Sequence, residues 1–351
     1  MSGPVLVTGA AGFIGSSLTR VLLDAGRPVV AFDKLTYAGH RASLAACEGR
    51  PGYVFVQGDI ADETAVARVF AEHRPSAVMN LAAESHVDRS IDAPAAFVDT
   101  NVVGTLVLLQ AARRGLETLE ASDRAAFRFL HVSTDEVFGA LGPDGRFDET
   151  TAYDPRSPYA ASKAASDHLV RAWGHTFGLP VLLTNCSNNY GPRQHPEKLI
   201  PLTILRALAG QPLPVYGDGL QVRDWLHVRD HARALVQVLD RGAIGRTYAV
   251  GGEAERTNLQ VVHAICAALD VQSPRADGRP HAAALEHVAD RPGHDRRYAI
   301  DPSRIRDELG WRPETDFETG LGETVRWYLD NGDWWRPIAA DGAATRRLGL
   351  G

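Results

Sequence analysis

Val5-Leu6-Val7-Thr8-Gly9-Ala10-Ala11-Gly12-Phe13-Ile14-Gly15 decides the fold of this chain. A short apolar run, Val5–Val7, leads into glycines at 9, 12 and 15. From Phe13 to Ala25 apolar residues then recur at helical spacing: Phe13, Ile14, Leu18, Val21 and Leu22. Strand, glycine loop and helix in that order make a phosphate-binding turn. Gly9 permits the tight turn, Gly12 lets a diphosphate approach the backbone, and Gly15 lets the helix pack close to the strand. Free N–H groups at the helix start hold the phosphates. Asp33 ends the next apolar run, 18 residues beyond Gly15. A carboxylate there accepts both ribose hydroxyls of adenosine and repels a 2′-phosphate, which favours NAD over NADP. Asp59 ends the third run, where it either meets the adenine amino group or caps the following helix.

Working outward, the runs Val29–Phe32, Tyr53–Val56, Ala77–Leu81, Phe129–Val132 and Val181–Leu183 alternate with longer stretches. Of these, Glu63–His73, Ala95–Arg114 and Tyr159–Phe177 read as helices. Strands of about five residues separated by helices imply βαβ units and a parallel sheet. Continuous apolar runs suit strands covered on both faces. After about residue 190 proline and glycine become frequent, as in Gly191-Pro192, Pro212, Pro214, Gly217 and Gly219. The segment from Asp224 to Asp240 returns to a helical pattern. The expected fold is therefore α/β, a Rossmann-type doubly wound parallel sheet with a smaller C-terminal substrate-binding lobe. The expected division is residues 1–190 for cofactor binding, with a returning segment near 224–245. Residues 191–335 form mainly the substrate lobe, and 336–351 a loosely held tail.

The bulk numbers exclude several classes. A length of 351 residues suits one large or two intimate domains. With 37 Lys+Arg against 43 Asp+Glu, the formal charge of −6 gives no general pull toward nucleic acid or anionic lipid. An anionic ligand must be caught by a local site. Cys47, Cys186 and Cys266 fit neither a disulfide framework nor a zinc pattern, and a cytoplasmic setting is expected. Neither a signal peptide nor a membrane span is expected, and no cluster has metal spacing.

Two motifs carry chemistry. Tyr159 and Lys163 in Tyr159-Ala160-Ala161-Ser162-Lys163 lie four apart, on one helical face. A nearby ammonium favours the phenolate and lowers the tyrosine pKa, so the pair can take a proton from a sugar hydroxyl as hydride leaves the same carbon. The strand end His131-Val132-Ser133-Thr134-Asp135-Glu136-Val137-Phe138-Gly139 places Ser133 or Thr134 within reach of a sugar hydroxyl, and two adjacent carboxyls beyond them. Neighbouring carboxyls split their protonation states, one acid and one base. An elimination uses such a pair, whereas a simple dehydrogenase or epimerase does not.

Together the glycine loop, Leu81–Ser90 (LAAESHVDRS), the Ser133–Gly139 segment, Tyr159–Asp167 (YAASKAASD), Thr184–Pro201, Tyr216–His231 and Arg291–Asp301 resemble the dTDP-glucose 4,6-dehydratase family of extended short-chain dehydrogenase/reductases. The match runs through about 330 residues. The resemblance implies conversion of dTDP-glucose to a 4-keto-6-deoxy sugar. In that scheme Tyr159, aided by Lys163 and Thr134, takes the 4-hydroxyl proton, Glu136 removes the C5 proton, and Asp135 protonates the departing 6-hydroxyl. It further implies tightly bound NAD touching Gly9, Gly12, Phe13, Ile14, Gly15, Asp33, Lys34, Thr36, Asp59, Ile60, Leu81, Ala82, Ala83, Ser133, Tyr159, Lys163, Cys186 and Asn188. The implied substrate contacts are Ser85, His86, Thr134, Asn188, Glu197, Lys198, Leu199, Tyr216, Arg223, Arg291, Asp295 and Tyr298. His86 stays open between a structural histidine and a substrate contact; His195 and His227 read as structural. Trp334-Trp335 is expected to pack against the body. The helices Ala95–Arg114 and Tyr159–Phe177 either pair across a homodimer axis, as in the family, or are simply buried on the sheet. The alternatives are another nucleotide-sugar enzyme of the same fold, such as a UDP-hexose 4-epimerase or a UDP-glucuronate decarboxylase, or a scaffold that binds cofactor without catalysis.

Overall fold

Among the described residues twelve strands form in chain order: β1 Val5–Thr8, β2 Val29–Asp33, β3 Tyr53–Gln57, β4 Ala77–Asn80, β5 Arg128–Thr134, β6 Val181–Cys186, β7 Asn188–Tyr190, β8 Leu213–Tyr216, β9 Val222–His227, β10 Thr247–Val250, β11 Glu255–Thr257 and β12 Leu285–Val288. They belong to a computed structural model that describes residues 3–290 and 294–340. Seven strands make one parallel sheet in the order β10-β6-β5-β4-β1-β2-β3. The order reverses between β1 and β4, where Val5 stands opposite Val29 on one side and Ala77 on the other. A crevice must open there above the strand ends, because the crossovers leave in opposite directions.

Period-two alternation sends successive residues of β1 to opposite faces. Val5 and Val7 join Leu18 and Leu22 of helix Phe13–Asp24, together with Leu235 and Val238 of helix Val228–Arg241. Leu6 joins Val66 and Val69 of helix Glu63–His73, Leu108 of helix Thr105–Glu117 and Val170 of helix Pro158–Phe177. Both faces are thus covered, which is why these strands read as unbroken apolar runs. The other strands lie in a three-stranded sheet, β11-β9-β7, and a pair, β12-β8. A separate core gathers there around Tyr190, Ile200, Trp225, Ile265, Phe317 and Leu321.

Four sequence expectations change. Asp224–His227 is the end of strand β9, and the helix starts only at Val228. Asp62, not Asp59, caps helix Glu63–His73, accepting from the Thr64 and Ala65 amides. Residues 336–340 continue helix Gly332–Ala340, so the expected tail is helical as far as it is described; 341–351 lie outside the described residues. Finally, Pro94–Glu117 is one described helical stretch long and apolar enough to cross a membrane by length and composition, against the expectation of none. Half of its most apolar 18-residue window is buried. Its apolar residues Val107, Leu108 and Leu109 serve the sheet's second face. Between Val98 and Gly104 this stretch opens into a π-helical turn.

Candidate active site

One long cavity follows the crevice at the strand carboxyl ends. At its base the Thr8 hydroxyl donates to Asn80 Oδ1 (2.7 Å) and accepts from the Leu81 and Ala82 amides (3.2 Å each), tying β1 to the chain leaving β4. Gly9 has φ +64°, and a Cβ on Gly15 would stand 2.1 Å from the Gly9 carbonyl oxygen. The turn therefore closes only with glycine at both positions. Helix Phe13–Asp24 starts at Gly12 with no side-chain cap and no acid in its first turn, so its N-terminal amides face the cavity as an anion cradle. Asp33 Oδ2 accepts from the Ala11 amide (2.8 Å) and Oδ1 from the Leu35 amide (2.7 Å), which fixes the carboxylate at the cavity wall. Burial pushes its pKa up, against the pull of those two amides. Lys34 pairs with Asp59 at 2.5 Å. Every residue expected to touch a dinucleotide lines this cavity, from Gly9 through Asp33, Thr36, Ile60 and Ala83 to Cys186 and Asn188. The capless helix start and the Asp33 carboxylate are the donors and acceptor that a diphosphate and a ribose need, so the residues present fit NAD.

Ser133, Thr134, Asp135, Glu136, Tyr159 and Lys163 line the same cavity. Ser157 caps helix Pro158–Phe177, so Tyr159 and Lys163 lie in its first two turns beside the end of β5. The expectation that Lys163 lowers the Tyr159 pKa is not met in the protein alone. Burial, and then Glu136, push the phenol well above its ordinary value, with only the Thr134 hydroxyl acting against them among the leading contributions. The Lys163 ammonium is directed elsewhere, donating to the Val132 carbonyl at 2.8 Å. Asp135 is 2% exposed. Burial, then Glu136 and Asp224, raise its pKa well above the carboxylate range, with Arg223 and Thr134 acting in the opposite sense. Its Oδ2 has no hydrogen-bond partner within the described chain. Glu136 is only half-buried. The pair is thus asymmetric: a deeply buried acid that holds its proton next to a carboxyl open to the cleft.

Beneath this pair lies a network that the sequence reading missed. Asp167, fully buried one helical turn beyond Lys163, accepts from Ser133 Oγ and the Tyr153 hydroxyl (2.8 Å each). His131 Nε2 stands 3.4 Å from its other oxygen. Burial and the Lys163 charge lower the His131 pKa to about 4, so that imidazole is neutral at pH 7.

Among the expected substrate contacts, Ser85, Thr134, Asn188, Glu197 and Lys198 line the cavity. His86 caps helix Val87–Asp92 and faces Glu197 at 3.9 Å, just behind the wall. Leu199 begins the next helix. Arg223 donates to the Asp295 carbonyl (3.0 Å) and lies 4.2 Å from the Tyr298 ring; Tyr298 in turn donates to Asp295. This cluster senses both acids, since Glu136 helps raise the Tyr298 pKa and Arg223 acts on Asp135. Tyr216, at the end of β8, is not part of the cavity wall. Arg291 lies outside the described residues. His195, read as structural, lines the cavity instead, together with Glu84, Gln194 and Asn189. His227, read as structural, caps helix Val228–Arg241, and Trp334 and Trp335 donate to Ser43 and Tyr328.

Residues 6–324 match the family model described as GDP-mannose 4,6 dehydratase. The chain is 59% identical over 344 residues to a dTDP-glucose 4,6-dehydratase of Xanthomonas campestris pv. campestris, covering 98% of each. Among solved structures it is similar to a dTDP-glucose 4,6-dehydratase of Streptomyces venezuelae crystallised with NAD bound. The TM-score is 0.86 at 45% identity, over 95% of this chain and 99% of that one. It is also similar, at 31% identity and a TM-score of 0.82, to a UDP-glucose 4-epimerase of Thermus thermophilus in complex with NAD, over 93% of this chain and 99% of that one.

Proposed function

The chain belongs to the dTDP-glucose 4,6-dehydratase family, and on that premise we propose how its cleft carries out the family's reaction. The protein is an NAD-dependent hydro-lyase that converts dTDP-glucose to dTDP-4-keto-6-deoxyglucose, a step of deoxysugar biosynthesis. NAD, when bound along the glycine loop and Asp33, supplies the acceptor and later the donor of hydride, and brings a positively charged ring that favours the Tyr159 phenolate.

Tyr159 takes the proton of the sugar 4-hydroxyl through its phenol oxygen, with Thr134 hydrogen-bonded beside it and Lys163 braced on the Val132 carbonyl. The 4-ketone acidifies the C5–H. Glu136, the more open carboxyl, accepts that proton. Asp135, neutral in its buried seat, donates its own to the 6-hydroxyl, which leaves as water. Glu136 would give that proton back to C5 as hydride returns to C6, and the proton that Tyr159 took from the 4-hydroxyl would restore Asp135, so all three groups end the cycle as they began. The observation that carries this reading is the asymmetry of Asp135 and Glu136. An epimerase moves hydride to and from one carbon and has no leaving hydroxyl for Asp135 to protonate.

Residues 1–190 with 224–245 are assigned to cofactor binding and 191–335 mainly to the nucleotide sugar. Glu197 and Lys198 at the cavity wall, with Arg223, Asp295 and Tyr298 behind the acids, are assigned to the substrate side, and Tyr216 and Leu199 to its periphery. Exposed Ile91, Val98 (50%), Val103 (41%) and Phe177 (44%) lie on or beside the long helices and support a homodimer through that face. Three buried free cysteines support a reducing, cytoplasmic setting.

The test is direct. Purified protein given dTDP-glucose without added NAD is expected to form the 4-keto-6-deoxy product, seen by its absorbance in alkali. A 4-epimer in its place, or no turnover of any nucleotide hexose, refutes the reading. Light scattering tests the dimer.

A further inference from the structure

The loop after β2 is tied to two distant parts of the cleft wall by side chains that the chemistry above leaves unused. Thr36, Ala38 and Gly39 of that loop line the cavity, as do His195, Glu197 and Lys198 of the segment before helix Leu199–Leu208. Between them, Tyr37 hydrogen-bonds to the Glu197 carboxylate. The Glu197 side chain is only 5% exposed, and Arg89 Nε stands 3.4 Å from its Oε2. The Arg89 guanidinium lies 3.7 Å from the centre of the Tyr37 ring. His195 meets the same ring edge-on at 5.4 Å and stacks on His40 at 5.9 Å. A buried carboxylate is thus held by a cation, a phenol and an aromatic stack drawn from three separate regions of the chain.

The loop carrying Tyr37 is itself pinned to the cofactor's ribose anchor. Leu35 has φ +60° and donates its amide to Asp33 Oδ1, and a Cβ on Gly39 would fall 2.6 Å from that oxygen. Moving Tyr37 therefore moves the wall beside Asp33. A ligand seated along this loop leaves most easily when the loop swings away from Glu197, and that motion takes the Tyr37 phenol off the carboxylate and the Tyr37 ring off the Arg89 guanidinium, which belongs to helix Val87–Asp92 and stays with Glu197. Taking a hydrogen-bond donor from a buried carboxylate is unfavourable. The face-on guanidinium adds an attraction that a lysine reproduces only in part. A reaction that returns its hydride to the product needs no exchange of cofactor, so each release is a lost cycle.

We propose that Tyr37, Arg89 and Glu197 form a clasp that retains NAD between turnovers, with Glu197 a positioning residue for the cofactor loop. This rests on the assignment of the cleft to NAD. It also moves Glu197 from the nucleotide-sugar contacts to the cofactor side.

The test exchanges bound NAD for deuterated NAD in the intact protein and follows it by mass spectrometry, with Arg89→Gln, Arg89→Lys and Tyr37→Phe beside wild type. Arg89→Gln is expected to exchange on the order of tenfold faster, equivalent to about 1.4 kcal/mol. Arg89→Lys and Tyr37→Phe are expected to fall between it and wild type. Saturating NAD is expected to bring kcat of all three back near the wild-type value, which a catalytic lesion would not allow. Unchanged exchange with a raised KM for dTDP-glucose returns Glu197 to the substrate and overturns the clasp. Unchanged exchange with only a lower Tm reduces the cluster to packing between lobes and also overturns it. Wild-type protein that carries no NAD overturns the cofactor reading itself, and the clasp with it.

Discussion

Replacing Asp135 with asparagine isolates one proton. The side chain is 2% exposed, and burial, Glu136 and Asp224 all favour its neutral form. An amide has nearly the same shape and, at pH 7, the same charge. The field felt by Glu136 and Tyr159 is therefore preserved, and only the transferable proton is lost. General acid catalysis is worth about 10²- to 10⁴-fold in rate, or about 3–5 kcal/mol of barrier. No water reaches so buried a position easily to act as substitute donor, so the loss should lie toward the upper end. The assay is turnover of dTDP-glucose, read beside the absorbance of reduced nicotinamide. The first oxidation should still occur and its signal persist, because the hydroxyl no longer leaves. Stability supplies a second readout with a defined sign. The folded pKa of Asp135 lies above its unfolded value, so its favourable contribution is complete below the unfolded pKa and is lost as pH rises through the folded one. Wild type pays this penalty on the alkaline side and Asp135→Asn does not, so the variant should gain in relative thermal stability as pH is raised. Turnover within about threefold of wild type, or a variant equally destabilised at every pH, would refute the reasoning.

Glu136→Gln should keep its NAD but lose exchange of the C5 proton with deuterated solvent, checked by NMR of recovered sugar; retained exchange would reassign the base. Gly15→Ala drives a Cβ to 2.1 Å from the Gly9 carbonyl oxygen and should purify with little or no NAD, measured by release in acid. Asp33→Ala orphans the Ala11 and Leu35 amides, at about 1–3 kcal/mol for a buried donor, and removes the repulsion of a 2′-phosphate. Titration calorimetry should show weaker NAD binding and a smaller preference over NADP.

The parts of the fold legible in the sequence are those built from near neighbours. β1, β2, β4, β5 and β6 read clearly because a parallel strand covered on both faces is apolar over most of its length, and the edge strand β3 read clearly from its own run Tyr53–Val56 although Val54 is exposed. β10 is as buried, but Thr247-Tyr248-Ala249-Val250 is a four-residue run that opens on a polar residue within the glycine-rich second half of the chain. β9 was hidden for another reason: Arg223 and Asp224 are buried charges, satisfied by the Asp295 carbonyl and by the Gly252 and Ala254 amides, and a polar strand followed directly by a helix reads as one helical pattern. The cofactor turn and the two acids were legible because their chemistry needs particular residues at fixed local spacing. The Asp167 network and the grip on Glu197 were not, since Arg89 and Glu197 are 108 positions apart and only the folded chain makes them neighbours.

The π-helical turn at Val98–Gly104 fixes the relative rotation of two surfaces on one rod. Within it Thr100 borders the cleft, while the Asn101 side chain holds both backbone groups of Glu84 and the Ser162 hydroxyl. Downstream, Leu108 is locked into the core, and at the start of the turn Val98 is half exposed. Excising a single residue from this stretch would restore a regular spiral and turn everything before it by about 100° relative to everything after. Any relative that has lost the extra residue must therefore show a rewired Glu84 segment or a different mating face, since one regular rod could not keep both in place.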